Sequence, residues 1–114
     1  MSDPLDVIDH TFRALADPTR RGVIELLRGK PRRASDLADA FNLSRPAMSR
    51  HLRVLRSSGL VETSSEADAR ERIYTLRPER FRELRDWVDH VEKFWTVQLD
   101  AFKSHVERTR GRKR

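Results

Sequence analysis

The stretch Leu43-Ser44-Arg45-Pro46-Ala47-Met48-Ser49-Arg50-His51-Leu52-Arg53-Val54-Leu55-Arg56-Ser57-Ser58-Gly59 decides the fold of this chain. Ser44 is a helix-capping residue, and Pro46 falls in a first turn, where its missing N–H has no intrahelical partner to lose. Gly59 is a helix stop. Between these signals Met48, Leu52 and Leu55 lie within about 60° of one another at roughly 100° per residue, the stripe of a helix packed on a core. The other side carries Arg45, Pro46, Ser49, Arg50, Arg53 and Arg56, with four arginines and no acid. A solvated face normally mixes signs. An arginine-rich face suits a DNA major groove, where arginine reaches guanine O6 and N7 with two hydrogen bonds. Ala47 and Ser49 are small enough for close approach to the base edges, and the helix N-terminus attracts a phosphate. The ordinary alternative is a helical domain whose basic face is merely solvated.

The neighbours of this stretch extend the reading. Upstream, Ser35 is expected to cap a short helix from Asp36 to Phe41, with Leu37 and Phe41 inward and a tight turn at Asn42-Leu43. The two helices make a helix-turn-helix. Asp17-Pro18 predicts an N-cap and first helical residue. That helix runs to about Leu27, with Val23, Ile24 and Leu27 inward, and ends at Gly29-Lys30-Pro31. Gly22 within it is unfavourable relative to alanine by roughly 1 kcal/mol; it is either tolerated or marks close packing. Leu5, Ile8, Phe12 and Leu15 predict an amphipathic helix over 4–15.

Downstream, Leu60-Val61-Glu62-Thr63 and Arg72-Ile73-Tyr74-Thr75-Leu76 predict a β-hairpin around a polar connection, a wing beside the helix-turn-helix. After Pro78 one long helix carries Phe81, Leu84, Val88, Val91, Trp95, Leu99, Phe102 and Val106 at spacings of three and four. The expected fold is mainly α with a small β-hairpin: a winged helix-turn-helix of order α-α-α-α-β-β-α, the last helix serving dimerisation.

Composition narrows the function. The 114 residues carry a net charge of +6. Residues 18–58 hold +7 and 108–114 hold +5, while 1–17 and 59–107 hold −3 each. The excess is confined to the helix-turn-helix and the end of the chain, which favours an anionic partner. The expected division is a domain over 1–107 and a basic, disordered tail over 108–114. Solvation and attraction to phosphates are equally good readings of that tail. With no cysteine there is no disulfide framework and no thiol chemistry. No apolar run exceeds three residues, so no membrane partner is expected, and Met-Ser-Asp-Pro-Leu-Asp is no secretory signal. These features point to the cytoplasm. His10, His51, His90 and His105 are scattered without a nucleophile, and no phosphate-binding or hydrolase motif is present, so neither catalysis nor a cofactor is expected.

Several of these segments resemble one family. Ala14-Leu15-Ala16-Asp17-Pro18-Thr19-Arg20-Arg21 is similar to the opening of ArsR/SmtB-type winged-helix repressors, and Ser35-Asp36-Leu37-Ala38 to their third helix. Leu43 to Leu55 resembles the recognition stretch, and Gly59-Leu60-Val61 the junction to the wing. The resemblance implies a homodimeric bacterial repressor that binds an imperfect inverted repeat of double-stranded DNA in its own promoter region, an autoregulatory arrangement. It matches the DNA-facing positions to Ser44, Arg45, Pro46, Ala47, Ser49, Arg50 and Arg53. Arg70 and Arg72 are wing candidates, although Glu66, Asp68 and Glu71 surround them. His51, on the flank of the core arc, is either a packed histidine or a phosphate contact.

The chain also departs from its metal-sensing relatives. Where they carry Cys-x-Cys it reads Arg33-Ala34-Ser35-Asp36, so no thiolate metal site is expected. Asp86 with His90, and Asp6 with His10, have i, i+4 spacing, but the remaining ligands are out of step and solvated pairs are the better reading. The dimer interface is expected to use Leu5, Ile8, Phe12, Leu84, Trp87, Val88, Val91, Phe94, Trp95, Leu99 and Phe102. The aromatic stripe has a second reading, a pocket for an unknown small-molecule effector. The competing overall reading is a winged-helix protein-interaction module without specific DNA binding, motivated by the acids of the wing.

Overall fold

Two side chains set the helical frame. Asp17 accepts a hydrogen bond from the Arg20 backbone N–H at 3.0 Å, with Pro18 in the first helical position. Ser44 accepts from the Ala47 N–H at 3.2 Å, with Pro46 in the turn that follows. In each case a side-chain oxygen satisfies an N–H that the helix leaves unpaired.

The computed structural model describes residues 4–64 and 71–111, with side chains described from 6 to 64 and 71 to 110. The elements are α1 (Pro4–Leu15), α2 (Pro18–Gly29), β1 (Arg32–Arg33), α3 (Ala34–Ala40), α4 (Arg45–Ser57), β2 (Val61–Ser64), β3 (Ile73–Leu76) and α5 (Pro78–Gly111). They fall into two units, Met1–Arg82 and Glu83–Arg114, and α5 runs from the first into the second. The boundary expected at 107 falls inside α5, which includes the start of the basic stretch; 112–114 lie outside the described residues.

The first unit holds the core. Val23, Ile24 and Leu27 of α2, Leu37 and Ala38 of α3, and Met48, Leu52 and Leu55 of α4 are buried together, joined by Ala14, Leu60 and Val61. Each fully buried aliphatic side chain contributes about 1.5–3 kcal/mol relative to exposure. From α1 the core receives Thr11 and Ala14, not the larger Phe12, which is exposed. The Thr11 hydroxyl is satisfied by donating to the Val7 carbonyl at 3.1 Å.

Three local details differ from, or resolve, the sequence reading. The hairpin gains a third strand: β1 pairs antiparallel with β3 (Arg32 opposite Tyr74, Arg33 opposite Ile73), and β3 pairs on its other side with β2, Val61 opposite Leu76. Second, α3 starts at Ala34, and Ser35 is not its cap. Arg33, still paired in the sheet, occupies the cap position without a side-chain bond, so the chain passes directly from strand to helix. Phe41 is the residue closing α3 rather than its last turn. Third, Gly22 marks close packing. A Cβ there would lie 2.6 Å from Cε1 of Phe41, so the ring rests on bare backbone.

The turns need left-handed backbone at two points. Asn42 has φ 55° between α3 and α4, and Gly59 has φ 77° after α4, where its N–H donates to the Arg56 carbonyl at 3.0 Å. The second unit is the body of α5. Its apolar residues Val88, Phe94, Trp95, Val97, Leu99 and Phe102 are exposed along one continuous helix.

Candidate nucleic-acid interface

The buried arc of α4 turns its opposite face outward. Ser44, Arg45, Pro46, Ser49, Arg50 and Arg53 are exposed on α4 and its cap, and Ala47 is half-buried. Ser44 is occupied by its capping bond. Arg50 folds back so that Nε donates to the Pro46 carbonyl at 3.4 Å, which keeps its side chain along the first turns. Arg53 is exposed on the same face. The seven helix positions expected at DNA are thus grouped on one end and one side of a single helix. On the wing, Arg72 is exposed. Arg70 lies outside the described residues, as do Glu66 and Asp68.

A polar node fixes the angle of this helix on its support. Arg20 reaches from α2 to three places: Nε donates to the Ala14 carbonyl at 2.7 Å, Nη2 to the Arg13 carbonyl at 3.0 Å, and Nη1 lies 3.3 Å from Nδ1 of His51. A guanidinium only donates, so Nδ1 accepts and the ring proton sits on Nε2 when this bond is made. Asp17 Oδ2 is 3.9 Å from the same Nδ1. The Arg20 N–H holds the Asp17 carboxyl below the usual carboxylate range; partial burial opposes this, while His51 when its ring is protonated, the Arg20 charge and the Thr19 N–H add to it. His51 is therefore tied to α2 while its neighbours Arg50 and Arg53 face solvent. Arg21 completes the joint by donating to the Leu15 and Ala16 carbonyls at 2.7 and 3.1 Å.

Sequence reasoning did not find the role of Glu71. Its carboxylate accepts from Arg45 Nη2 and, at 2.7 Å, from the Ser35 hydroxyl. These partners are 26 and 36 residues away, beyond any local pattern. Glu71 was legible only as one acid among several that weaken the wing as a DNA contact.

The residues expected at a dimer interface are distributed over both units. In the first, Ile8 is half-buried and Phe12 exposed, and the Leu5 side chain lies outside those described. In the second, Leu84 and Val91 are half-buried, whereas Trp87, Val88, Phe94, Trp95, Leu99 and Phe102 are exposed. Val97, which the stripe omitted, is exposed too. Phe94 and Trp95 stack edge to face, with centroids 6.2 Å apart and planes at 81°. Among the described residues no group of three or more His, Cys, Asp or Glu side chains converges as a metal site, and no helix is long and apolar enough to cross a membrane.

Known proteins share this arrangement. The sequence model of the arsR family of bacterial regulatory proteins matches residues 17–63, which span α2 to the first residues of the wing. The HTH-type transcriptional regulator Rv2034 of Mycobacterium tuberculosis is 35% identical over 99 residues, covering 87% of this chain and 88% of the relative. The transcriptional repressor SdpR of Bacillus subtilis is 39% identical over 54 residues, 47% of this chain and 60% of its own. Among solved structures, an ArsR-like transcriptional regulator from Rhodococcus superposes with a TM-score of 0.79 at 29% identity, covering 89% of this chain and 91% of that one. The homodimeric winged helix-turn-helix DNA-binding domain of a Mycobacterium bovis protein gives 0.63 at 28%, covering 78% and 81%. An identity of this level over most of both chains, on the same helices, turn and wing, shows that the chain belongs to the ArsR family of bacterial transcriptional regulators.

Proposed function

We propose that this chain is a homodimeric repressor that inserts the N-terminal half of α4 into the major groove of an inverted-repeat operator in the cytoplasm. One observation carries the reading: Arg45, Arg50 and Arg53 are exposed on a face to which α4 itself contributes no acid, while its opposite face is locked into the core by Met48, Leu52 and Leu55. A rigidly seated helix can hold arginines at base edges with little loss of freedom, whereas a loosely attached basic segment would bind phosphates alone. Ser44, Pro46, Ala47 and Ser49 keep that end narrow enough for backbone approach. Arg72, and with it Arg70, is assigned to the flanking phosphates.

Dimerisation through the exposed stripe of α5, together with Ile8 and Phe12 of α1, would give the symmetry of the operator. Two recognition helices would then address half-sites about 34 Å apart.

The test is selection of bound duplexes from a random DNA pool, followed by affinity measurements on the recovered site. A two-fold-symmetric site is expected, with binding that falls steeply as salt rises. Arg45→Ala and Arg50→Ala should each weaken it by about 1–3 kcal/mol and relax the preference at one base pair per half-site. Recovery of no preferred sequence, with equal binding by both variants, would favour the protein-interaction module instead. Glu71, one of the acids that motivated that alternative, accepts hydrogen bonds from Ser35 of α3 and Arg45 of α4.

A further inference from the structure

Glu71 lies in the wing, two residues before β3, at the end of the hairpin where Ser64 pairs with Ile73. Its carboxylate joins three elements. Oε1 accepts from Nη2 of Arg45, the first residue of α4, and Oε2 accepts from the hydroxyl of Ser35 in the first turn of α3. The two ends of this link differ in freedom. The Glu71 side chain is 21% exposed and held from two sides; that of Arg45 is 60% exposed. A guanidinium carries five N–H donors in a rigid fork. Among the described residues Glu71 engages only one of them, Nη2, so the fork is anchored at one end while its other donors are not engaged by that carboxylate.

We propose that Glu71 is a positioning residue that sets DNA sequence specificity by fixing the Arg45 guanidinium before DNA arrives. Two physical effects follow from one carboxylate. The anchored oxygen restricts the rotamers of Arg45, so less entropy is lost when it pairs with one base edge. The negative charge also offsets the arginine's attraction to phosphates, which lowers affinity for DNA of any sequence. Base discrimination rises and indiscriminate binding falls. The inference rests on the reading of α4 as the recognition helix with Arg45 over the bases.

The experiment compares Glu71→Ala, Glu71→Gln, Ser35→Ala and Arg45→Ala in the full chain. Each variant is measured on the selected operator, on the operator substituted at each base pair, and on a random duplex, with a thermal melt as control. Arg45→Ala identifies the base pair that Arg45 reads. At that position Glu71→Ala should lose about threefold to tenfold in discrimination, while its affinity for random duplex rises about twofold to fivefold with a salt slope steeper by about one. Glutamine can accept from Arg45 and donate to Ser35 but is uncharged. It should therefore keep the discrimination and show only the rise on random duplex. Ser35→Ala, which removes one anchor and no charge, should lose part of the discrimination without that rise.

Three results overturn the proposal. If Arg45→Ala removes a base preference and a normally melting Glu71→Ala or Ser35→Ala keeps it in full, Glu71 is only a tie between wing and helices. If Glu71→Ala does not fold, Glu71→Gln decides the charge effect, and an unchanged affinity for random duplex rejects it. If Arg45→Ala changes no base preference, the assignment of Arg45 itself is wrong, and the role of Glu71 falls with it.

Discussion

The two units of this chain handle apolar surface in opposite ways. The unit over Met1–Arg82 buries its aliphatic residues in one core of four helices and a sheet edge, with Leu37, Met48, Leu52, Leu55 and Leu60 fully enclosed. The body of α5, from Glu83 on, exposes Val88, Phe94, Trp95, Val97, Leu99 and Phe102. A lone helix gains nothing in water from such residues, and isolated helices are marginal even with favourable composition. The first unit carries a complete argument for its own fold. On the reading proposed above, the second is half of an arrangement that a second copy would complete. The difference would then separate two tasks: the DNA address on the unit with its own core, and the symmetry on the exposed helix.

The largest effect is expected where that dependence is attacked. Leu99→Glu with Phe102→Glu should convert the dimer to monomer at micromolar concentration and weaken operator binding by roughly 100-fold or more, since each half-site is then bound alone. Both tryptophans, Trp87 and Trp95, lie in α5, and the one tyrosine, Tyr74, is in β3. Tryptophan emission should shift to the red in this variant while the Tyr74 ring resonances stay in place. Sedimentation that still shows a dimer would end the division of labour proposed above.

Leu52→Ala attacks the other unit. It opens a cavity where α4 meets α2 and α3, and should cost about 2–5 kcal/mol by denaturant unfolding. A cost below about 0.5 kcal/mol would mean that the core is not the close-packed body described. Asp17→Ala is a smaller perturbation of the same unit, about 1 kcal/mol at pH 7 from loss of the α2 cap. The folded carboxyl titrates below its usual 3.8, so its stabilisation is complete above that value and disappears as pH falls through the folded one. The gap between wild type and variant should therefore begin to close as pH falls below the usual 3.8, and one that stays unchanged throughout the acid range would assign the cost to packing instead of the carboxylate.

The same contrast explains what could be read in advance. Helix starts and stops were legible where one residue does the work: Asp17 with Pro18, Ser44 with Pro46, Gly59 after α4. So was the α4 face, because burial and solvation alternate with a fixed period. The strand β1 was not. Arg32-Arg33 has no apolar alternation, and its extended form is imposed by pairing with Tyr74 and Ile73. That pairing also moved the start of α3 and released Ser35 from capping. The inward face of α1 escaped because Thr11 and Ala14 are small and one is polar, so hydrophobicity ranks them below Phe12. For the interface, the helix arginines were legible as a pattern, whereas the Glu71 link and the Arg20–His51 node depend on folding distant segments together.

Gly22 has a consequence in evolutionary time. The aromatic ring of Phe41 occupies the volume where any other residue at 22 would need its first carbon. A larger residue at 22 is tolerable only if 41 has already shrunk, and a lost ring at 41 leaves a hollow that alanine at 22 would fill while relieving a helix-breaking glycine. The two positions are thus coupled through a single volume. In descendants of this sequence they should change as a pair, in an order that passes through the smaller side chain first.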